Sequence, residues 1–299
     1  MSLKSLKDAL KGVLNDEDLG KVAKSYDFVG DILLVKIHPD LLHRSEKLLE
    51  IGKALKKAFP RAKTVAAVPI FSKTQEIFRT RDLKVLFTEK DAKESGKCTE
   101  TLHKESGCVF KVDLRHTFFS PRLAYERMRV AKKVKAGEIV VNMFAGVGCF
   151  SILIAKVQPK VRKVYSIDIN PVAVAYMREN IRLNKVEGKV VPILGDAHEV
   201  LSDFEGVSSR VLMPLPESSH EFLADAVRAL NLHEGGVIHY YTVASGEKDV
   251  FKEPFERALR IIRGISPEIS VEVEEKRIVR SVAPRKWHVV FDLKLRKSK

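Results

Sequence analysis

A glycine turn and two carboxylates are the residues whose spacing points most directly to chemistry. The turn, Phe144-Ala145-Gly146-Val147-Gly148, lies between an apolar run and the start of a helical pattern. Glycines there let a ligand approach the backbone and leave helix N–H groups pointing at it. Asp168 ends the next apolar run in YSIDINP, and Asp196 ends the third in ILGDAHE. This order predicts a nucleoside site in which Asp168 accepts ribose hydroxyls and Asp196 approaches the adenine amino group.

The same order distinguishes between two cofactor classes. A dinucleotide fingerprint carries a third glycine, and Ser151 occupies that place here. An acid at the end of both the second and the third strand fits S-adenosylmethionine better than NAD. Either acid alone could be a helix N-cap, so the prediction rests on the turn and both acids together.

These residues need a sheet whose strands end at one edge. Strand and helix patterns alternate from PRLAYERMRVAKKV through EIVVNM, KVYSIDI, KVVPIL, SRVLMPLP and GGVIHYYTV, and two β-rich runs follow across an AP turn. Such alternation predicts a doubly wound, Rossmann-like α/β fold, whose parallel sheet is finished by an antiparallel pair. The strands' carboxyl ends then bring the turn and both acids to one edge.

The first half of the chain predicts a separate small α+β domain. YDFVGDILLVKI is typical of strand–turn–strand, LLHRSEKLLEIGKALKKAF of a helix, and TVAAVPIF, FRTRDLKVLF and CVFKVDL of further strands. We expect a helical extension over residues 1–24, this small domain over residues 25–115 and a catalytic domain over residues 116–299.

The net charge of the chain indicates the class of partner that it binds. The chain has 53 Lys and Arg against 39 Asp and Glu, a formal net charge of +14, which favours a polyanionic partner. Basic runs at 121–135 and 276–299 flank the predicted site and predict a surface that follows RNA phosphates. An S-adenosylmethionine-binding enzyme that acts on small molecules would leave this charge unexplained.

Several function classes are disfavoured. Three cysteines without paired spacing favour neither a disulfide framework nor a metal site. No run approaches the roughly 18 apolar residues of a membrane helix, and the N-terminal stretch lacks the apolar segment of a signal peptide. We therefore expect a cytoplasmic protein without a metal or a membrane partner, and a monomer.

Several stretches together resemble the archaeal and eukaryotic tRNA (guanine-37 N1)-methyltransferases: FSPRLAYERMRVA, VNMFAGVGCFSI, YSIDINP, GGVIHYYTV and EKRIVRSVAPRKW. SYDFVGDI and FRTRDLKVL resemble the small domain that precedes the catalytic domain in that family. The resemblance, which runs from about Tyr26 to the C-terminus, implies a class I methyltransferase fold. It also implies S-adenosylmethionine as cofactor and the tRNA anticodon stem-loop as partner.

The proposed reaction assigns roles to individual residues. Methylation of guanine N1 needs a general base near N1 and a positive or hydrogen-bonding group near O6. Glu126 is the candidate base, and Arg81 is the candidate O6 contact with Arg79 left open. Pro214 is expected to shape the base pocket. Without the resemblance, Glu126 would be interpreted as an ordinary helix partner of Arg122 or Arg129.

The cofactor site is predicted to include residues from the turn, the strand ends and the basic helix: Ser120, Arg127, Asn142, Phe144, Gly146, Gly148, Asp168, Ile169, Asp196 and Ala197. His239, Tyr240 and Tyr241 close a strand near this pocket, and we expect them to be packing residues.

Departures from the family pattern leave alternatives open. Asn142 stands where the family usually has Asp, and Pro214 stands where it usually has Asn before a proline-containing turn. About 25 residues precede the small domain, where family members often carry a further domain. A proline at 214 resembles the branch that also methylates a ring carbon of a wyosine intermediate.

Two other functions remain open. A related branch transfers the aminocarboxypropyl group of S-adenosylmethionine instead of its methyl group, although FSPRL and RIVRS favour the methyltransferases. A non-catalytic tRNA-binding protein with a degenerate domain is the alternative from another class.

Overall fold

The protein forms two compact units. The computed structural model describes residues 5–70, 78, 80–89, 97–246 and 249–297, and Arg79 lies outside them. Contacts between residues divide the chain into Met1–Ala124 and Tyr125–Lys299. The three-part division predicted from the sequence, with its boundaries after residues 24 and 115, stays a prediction.

The first unit is a small α+β structure. Its strands β1 to β4 form a sheet in that order, and β5 and β6 form a separate hairpin. Its helices are α1 (Leu6–Leu10), α2 (Asp16–Gly20), α3 (Pro39–Leu42) and α4 (Ser45–Ala58), and its strands are β1 (Val22–Val29), β2 (Ile32–Ile37), β3 (Thr64–Pro69), β4 (Lys84–Thr88), β5 (Glu100–Glu105) and β6 (Cys108–Asp113).

The N-terminal helix belongs to the core of this unit. Leu6 and Leu10 of α1 lie in one apolar cluster with Val35 of β2 and Ile51 of α4. Helix α4 follows from its sequence, because its buried residues recur three and four positions apart, which is the spacing of one helix face. Lys56 and Lys57 in its last turn complement the negative end of the helix dipole.

The strand expected over FRTRDLKVLF is shorter than its sequence suggests. Strand β4 begins at Lys84, which pairs with Ala67 of β3, and Arg81 precedes it outside any strand. The expectation that Arg81 lies within a strand is therefore wrong. Pro69 gives a physical reason, because β3 ends at a residue with no N–H to offer a longer partner strand.

The second unit has the doubly wound fold that the sequence predicts. Its seven-stranded sheet has the order β12-β13-β11-β10-β7-β8-β9. The elements are α5 (Ala124–Lys133), β7 (Ile139–Asn142), α6 (Cys149–Val157), β8 (Lys163–Asp168), α7 (Pro171–Leu183), β9 (Val190–Leu194), α8 (Ala197–Val200), β10 (Arg210–Met213), α9 (Leu223–Ala229), β11 (Gly236–Ser245), α10 (Lys252–Ile265), β12 (Ile269–Ala283) and β13 (Lys286–Lys297).

Strand directions place the site. Strands β7 to β11 pair in parallel, whereas β13 pairs antiparallel with both β11 and β12. The strand order reverses at β7, with β8 on one side and β10 on the other. Ligands of such sheets bind outside the carboxyl ends of the strands at this switch point.

The helices that flank the switch point have clear causes in the sequence. Residues Cys149–Ala155 of α6 are all buried, as expected for an apolar helix enclosed by the fold. Helix α7 begins after Asn170, whose Oδ1 accepts hydrogen bonds from the N–H groups of Val172 and Ala173, and Pro171 suits the first helical position. None of the helices in the described residues has the length and apolar character needed to cross a membrane.

We predict that Gly52→Ala destabilises the first unit. A Cβ at Gly52 would lie 2.6 Å from the carbonyl oxygen of Leu86 in β4, and such overpacking costs about 1–3 kcal/mol. Gly264→Ala in α10 is the matched control, because a Cβ there meets nothing within 4 Å and should stabilise the helix by up to about 1 kcal/mol. Urea unfolding followed by circular dichroism measures the free energy of unfolding of both variants. If Gly52→Ala and Gly264→Ala change this free energy equally, the prediction is wrong.

Candidate active site

The glycine turn after β7 requires its glycines. Gly146 and Gly148 have φ angles of 56° and 90°, in the left-handed region that favours glycine. A Cβ at Gly148 would also lie 2.9 Å from the Met177 Cγ on α7. Gly148 caps the start of α6, so the backbone itself lines the approach to the first turn of that helix.

Asp168 ties this turn to the end of β8. Its Oδ2 accepts a hydrogen bond from the Gly146 N–H at 2.6 Å, and its Oδ1 accepts one from Asn170 at 2.9 Å. Burial raises the pKa of the Asp168 carboxyl, and these two N–H groups oppose that rise. Each carboxylate oxygen can accept a second hydrogen bond, so Asp168 retains capacity for two hydroxyl groups.

Apolar side chains border Asp168. Leu194 of β9 pairs in register with Asp168, and Ile169 follows Asp168 in the chain. They are 48% and 40% exposed, although both lie at the edge where the strands end. This combination of a half-buried carboxylate and exposed aliphatic surface fits a nucleoside, whose sugar offers hydroxyls and whose base offers an apolar face.

Asp196 caps a helix. Its Oδ1 accepts a hydrogen bond from the His198 N–H at 2.8 Å at the start of α8, as the alternative interpretation of this residue expected. Ala197 is buried beside it. The Phe144 ring packs edge-to-face on Phe222, and Phe222 stacks on His198 at 4.0 Å between ring centroids.

Asn142, at the carboxyl end of β7, has an unsatisfied acceptor. Its Nδ2 donates to the Ser151 hydroxyl at 3.1 Å, and Ser166 donates to the same hydroxyl at 2.7 Å. Asn142 is fully buried, and its Oδ1 accepts no hydrogen bond from the described residues. An unpaired buried acceptor costs about 1–3 kcal/mol, so this oxygen would gain from a ligand's N–H group.

Glu126 is buried among hydrogen-bond donors. It is 2% exposed, and its Oε1 accepts from Arg129 at 2.7 Å and from the Tyr241 hydroxyl at 2.6 Å. Arg277 of β12 donates to its Oε2. The helix pair with Arg129 that the spacing suggested is therefore present, and it is one part of a larger arrangement. Arg127, the next residue, is buried as well.

Asp292 of β13 is the centre of that arrangement. Its side chain is fully buried, and it accepts hydrogen bonds from His239 at 2.6 Å, Arg129 at 2.6 Å and Lys133 at 2.5 Å. Burial alone would raise the pKa of Asp292, but these donors outweigh burial and hold the pKa well below its ordinary value. Glu275 of β12 also accepts from Arg129 and Lys133.

His239 extends these contacts as a neutral side chain. Burial lowers the pKa of its imidazole. Its Nε2 lies 2.8 Å from Arg210 Nη1, and a guanidinium can only donate. Nε2 therefore accepts, and Nδ1 carries the proton donated to Asp292. Arg210 in turn pairs with Glu138 at 2.7 Å.

We call these residues the buried charge network: Glu126, Arg129, Lys133, Glu138, Arg210, His239, Tyr241, Glu275, Arg277 and Asp292. The expectation that His239 and Tyr241 are packing residues misses their hydrogen bonds. Asp292 was also missed as a site residue, and its one sequence signal is a lone acid inside the apolar run WHVVFDL. Acids in such a position are rarely buried without partners.

The segment after β10 is held by short contacts. Beyond Pro214, the Leu215 N–H bonds to the Met213 carbonyl at 2.8 Å, and the Ser219 hydroxyl bonds to the carbonyls of Met213 and Leu215. Glu217 lies 3.1 Å from His288 of β13. Pro214 therefore starts a well-anchored turn at the carboxyl edge of the sheet.

Two predicted site residues belong to the first unit. The Arg81 guanidinium lies 5.5 Å from the centroid of the Phe118 ring. Ser120 is 3% exposed and precedes the single turn Pro121–Leu123. In the second unit, Asp168 accepts a hydrogen bond from the glycine turn. Separately, Arg129 links Glu126 to Asp292.

Comparisons with known proteins match both halves of the chain. A profile described as the TRM5/TYW2 methyltransferase domain matches residues 101–273, and one described as the TYW2 N-terminal domain matches residues 6–91. The chain is 40% identical over 271 residues to tRNA (guanine(37)-N(1))-methyltransferase Trm5b of Pyrococcus abyssi, which covers 91% of this chain and 74% of that protein.

Two relatives are matched along nearly their whole length. The tRNA 4-demethylwyosine(37)-methyltransferase Taw21 of Saccharolobus solfataricus is 36% identical over 290 residues, which covers 97% of this chain and 99% of that protein. The tRNA(Phe) (4-demethylwyosine(37)-C(7)) aminocarboxypropyltransferase of Methanocaldococcus jannaschii is 35% identical over 269 residues, which covers 90% of this chain and 97% of that protein.

Solved structures show the same similarity. The complex of aTrm5 with tRNALeu has a TM-score of 0.79 at 37% identity, which covers 98% of this chain and 79% of that one. Pyrococcus horikoshii TYW2 in complex with MeSAdo has a TM-score of 0.76 at 31% identity, which covers 98% of both chains.

We predict that Asp292→Asn lowers the free energy of unfolding of the second unit by about 3–5 kcal/mol at pH 7, as expected when one partner of a buried ion pair is removed. Glu272→Gln on β12 is the control, since its pair with Lys294 spans 3.8 Å and both side chains are exposed; such pairs contribute at most about 1 kcal/mol. Urea unfolding followed by the fluorescence of Trp287, the chain's one tryptophan, reports on this unit.

The same variant has an expected pH dependence. The pKa of Asp292 is lowered in the folded protein, so this carboxylate stabilises the fold fully above its unfolded pKa, about 3.9. Its contribution is lost as the pH falls from there towards the lowered pKa, because the unfolded chain takes up the proton first. The difference in free energy of unfolding between the wild type and Asp292→Asn should therefore become smaller below about pH 4. If this difference stays constant down to pH 3, the expected pH dependence is wrong.

Proposed function

This chain belongs to the TRM5/TYW2 methyltransferase family, and we propose that it is an S-adenosylmethionine-dependent tRNA methyltransferase that modifies guanosine 37 at N1 in the anticodon loop. The observation that carries the proposal is the hydrogen bond of 2.6 Å from the Gly146 N–H to Asp168. It joins the glycine turn to the acid at the carboxyl edge of a class I sheet. Relatives named for this reaction share the fold.

The residues at this edge fit S-adenosylmethionine. Asp168 has acceptor capacity for both ribose hydroxyls, and Ile169 offers an exposed aliphatic face to the adenine. The orphaned Asn142 oxygen suits an N–H donor of the cofactor. When bound, S-adenosylmethionine supplies an electrophilic methyl group. The other proposed contacts are Ser120, Arg127, Phe144, Gly146, Gly148, Asp196 and Ala197.

Glu126 is the proposed general base. Guanine N1 becomes nucleophilic when its proton leaves, and a carboxylate of fixed orientation suits its removal. Arg129 and Tyr241 hold Glu126 from within the fold, whereas Arg277 is the more exposed donor, with 27% of its side chain exposed against 8% for Arg129. Oε2, which lies on the side of the more exposed Arg277, is therefore the oxygen that is proposed to take the N1 proton. Arg81 is the proposed contact of guanine O6, where negative charge accumulates.

A specific observation favours a second activity on a wyosine intermediate at the same nucleotide. Pro214 offers neither an N–H group nor a polar side chain, so position 214 can contact a base only through its carbonyl and its apolar ring. The chain also spans 99% of a relative named as a 4-demethylwyosine methyltransferase. C-methylation of the tricyclic base is the second candidate, and aminocarboxypropyl transfer is its rival.

The partner follows from charge. The formal net charge of +14 supports binding to the phosphates of a tRNA anticodon stem-loop. We further propose that the protein acts as a monomer in the cytoplasm. The turn and Asp168 support cofactor binding, which a degenerate, non-catalytic domain would not be expected to show.

The deciding experiment is nucleoside mass analysis after incubation with S-adenosylmethionine and tRNA that carries an unmodified guanosine 37. One methyl group at guanine N1 is the expected product. The same assay on tRNA that already carries the tricyclic base separates methyl from aminocarboxypropyl transfer. Absence of any product on both tRNAs, with the cofactor bound, would favour the binding-only alternative.

We predict that Asp168→Asn weakens S-adenosylmethionine binding by roughly 10- to 150-fold, because hydrogen bonds to a charged group contribute about 1.5–3 kcal/mol. Burial raises the pKa of Asp168, and the protonated acid is the weaker acceptor. The affinity of the wild type for S-adenosylmethionine should therefore fall as the pH drops through the pKa of Asp168. The affinity of Asp168→Asn should not change over the same pH range. Titration calorimetry measures both, with Asp203→Asn at an exposed position as control.

We predict that Glu126→Gln slows methyl transfer by roughly 10²–10⁴-fold with nearly unchanged cofactor affinity. The amide keeps the size of the side chain but cannot take the N1 proton. Glu126 also holds Arg129 and Arg277, so thermal unfolding is measured alongside the single-turnover rate. Glu187→Gln, at an exposed site, is the control. Wild-type rates in folded Glu126→Gln would remove Glu126 as the base.

A further inference from the structure

Tyr125 presents an aromatic ring to solvent beside the candidate base. It is 70% exposed and immediately precedes Glu126 on α5. The guanidinium carbon of Arg277, on β12, lies 4.9 Å from the centroid of its ring. A single exposed aromatic residue has no special meaning, but a ring backed by a guanidinium forms a flat cationic and aromatic surface.

Arg277 is held in that position by the buried charge network. It donates to Glu126, and Glu126 is fixed by Arg129 and Tyr241. The guanidinium therefore spans two neighbours, the carboxylate of Glu126 and the ring of Tyr125. A platform anchored in this way loses little side-chain entropy when a ligand stacks on it.

Helix geometry separates the two neighbours. Successive residues of an α-helix are rotated by about 100°, so Tyr125 and Glu126 point in different directions from α5. Arg277 lies over one face of the Tyr125 ring and also reaches Glu126, so a base stacked on the opposite face of the ring is kept away from Glu126. A ligand that uses both positions must therefore offer two flat groups, as consecutive nucleotides of a single-stranded loop do.

We propose that Tyr125, backed by Arg277, is a stacking platform for a nucleobase of the anticodon loop that neighbours the base presented to Glu126. This rests on the proposed function and names how the substrate is held. Bases splayed from RNA loops stack on aromatic rings and guanidinium planes. Arg280 lies on the same strand, β12, and supplies charge for an adjoining phosphate.

The first test is RNA affinity. Tyr125→Ala should weaken binding of an anticodon stem-loop RNA by roughly 5- to 150-fold, since stacking contributes about 1–3 kcal/mol per base. Tyr125→Phe keeps the ring and should restore most of the affinity. The slope of affinity against salt should stay unchanged, because no phosphate contact is lost. Leu183→Ala, which removes another exposed apolar side chain, is the matched control and should bind as the wild type does.

The second test identifies the stacked base. Stem-loops with one abasic loop nucleotide at a time are titrated with wild type and with Tyr125→Ala. The proposal requires one abasic position, next to nucleotide 37, where the wild type loses affinity and the Tyr125→Ala substitution causes no further loss. Additive losses at every position, or wild-type affinity in Tyr125→Ala, would overturn the platform alone. Failure of the wild type to bind the intact stem-loop would overturn the proposed function together with it.

Discussion

The carboxylate of Asp292 imposes the constraint on which the second unit depends. A fully buried charge is tolerated only with partners that replace its lost hydration, and Asp292 obtains them from α5 and β11. Arg129 and Lys133 bring further charge with them, which Glu126 and Glu275 balance. With His239 neutral, the acids Glu126, Glu138, Glu275 and Asp292 offset the bases Arg129, Lys133, Arg210 and Arg277.

The contacts within this balanced network fix the position of helix α5 against the sheet. Helix α5 is joined to β11 through Tyr241, to β12 through Glu275 and Arg277, and to β13 through Asp292. Arg129 and Asp292 each contact several members, so loss of either leaves other buried charges with fewer partners. Glu126 thereby acquires a fixed orientation although it lies on a short basic helix with little apolar surface of its own.

The cofactor half of the site is built on different physics. Backbone geometry at Gly146 and Gly148 and one carboxylate, Asp168, form it, and exposed Ile169 and Leu194 border it. Relatives named for methyl transfer and for aminocarboxypropyl transfer are both similar to this chain, so the shared fold alone does not decide which group is transferred. Pro214, at the start of its anchored turn, is one of two residues, with Asn142, that depart from the pattern expected of the family.

The sequence by itself determined the features that are local. The alternation of elements, the glycine turn, the N-cap at Asp196 and the pair of Glu126 with Arg129 depend on residues within one or two turns of each other, and periodicity or spacing reveals them. Only the tertiary structure decided that Tyr241, Arg277 and Asp292 meet around α5, because Arg277 and Glu126 are 151 positions apart and Arg129 and Asp292 are 163. Arg81 was misplaced for a related reason, since the length of a strand depends on its partner as well as on its own residues. Contacts between distant residues follow from the order of strands in a sheet, which no local pattern in a single sequence encodes.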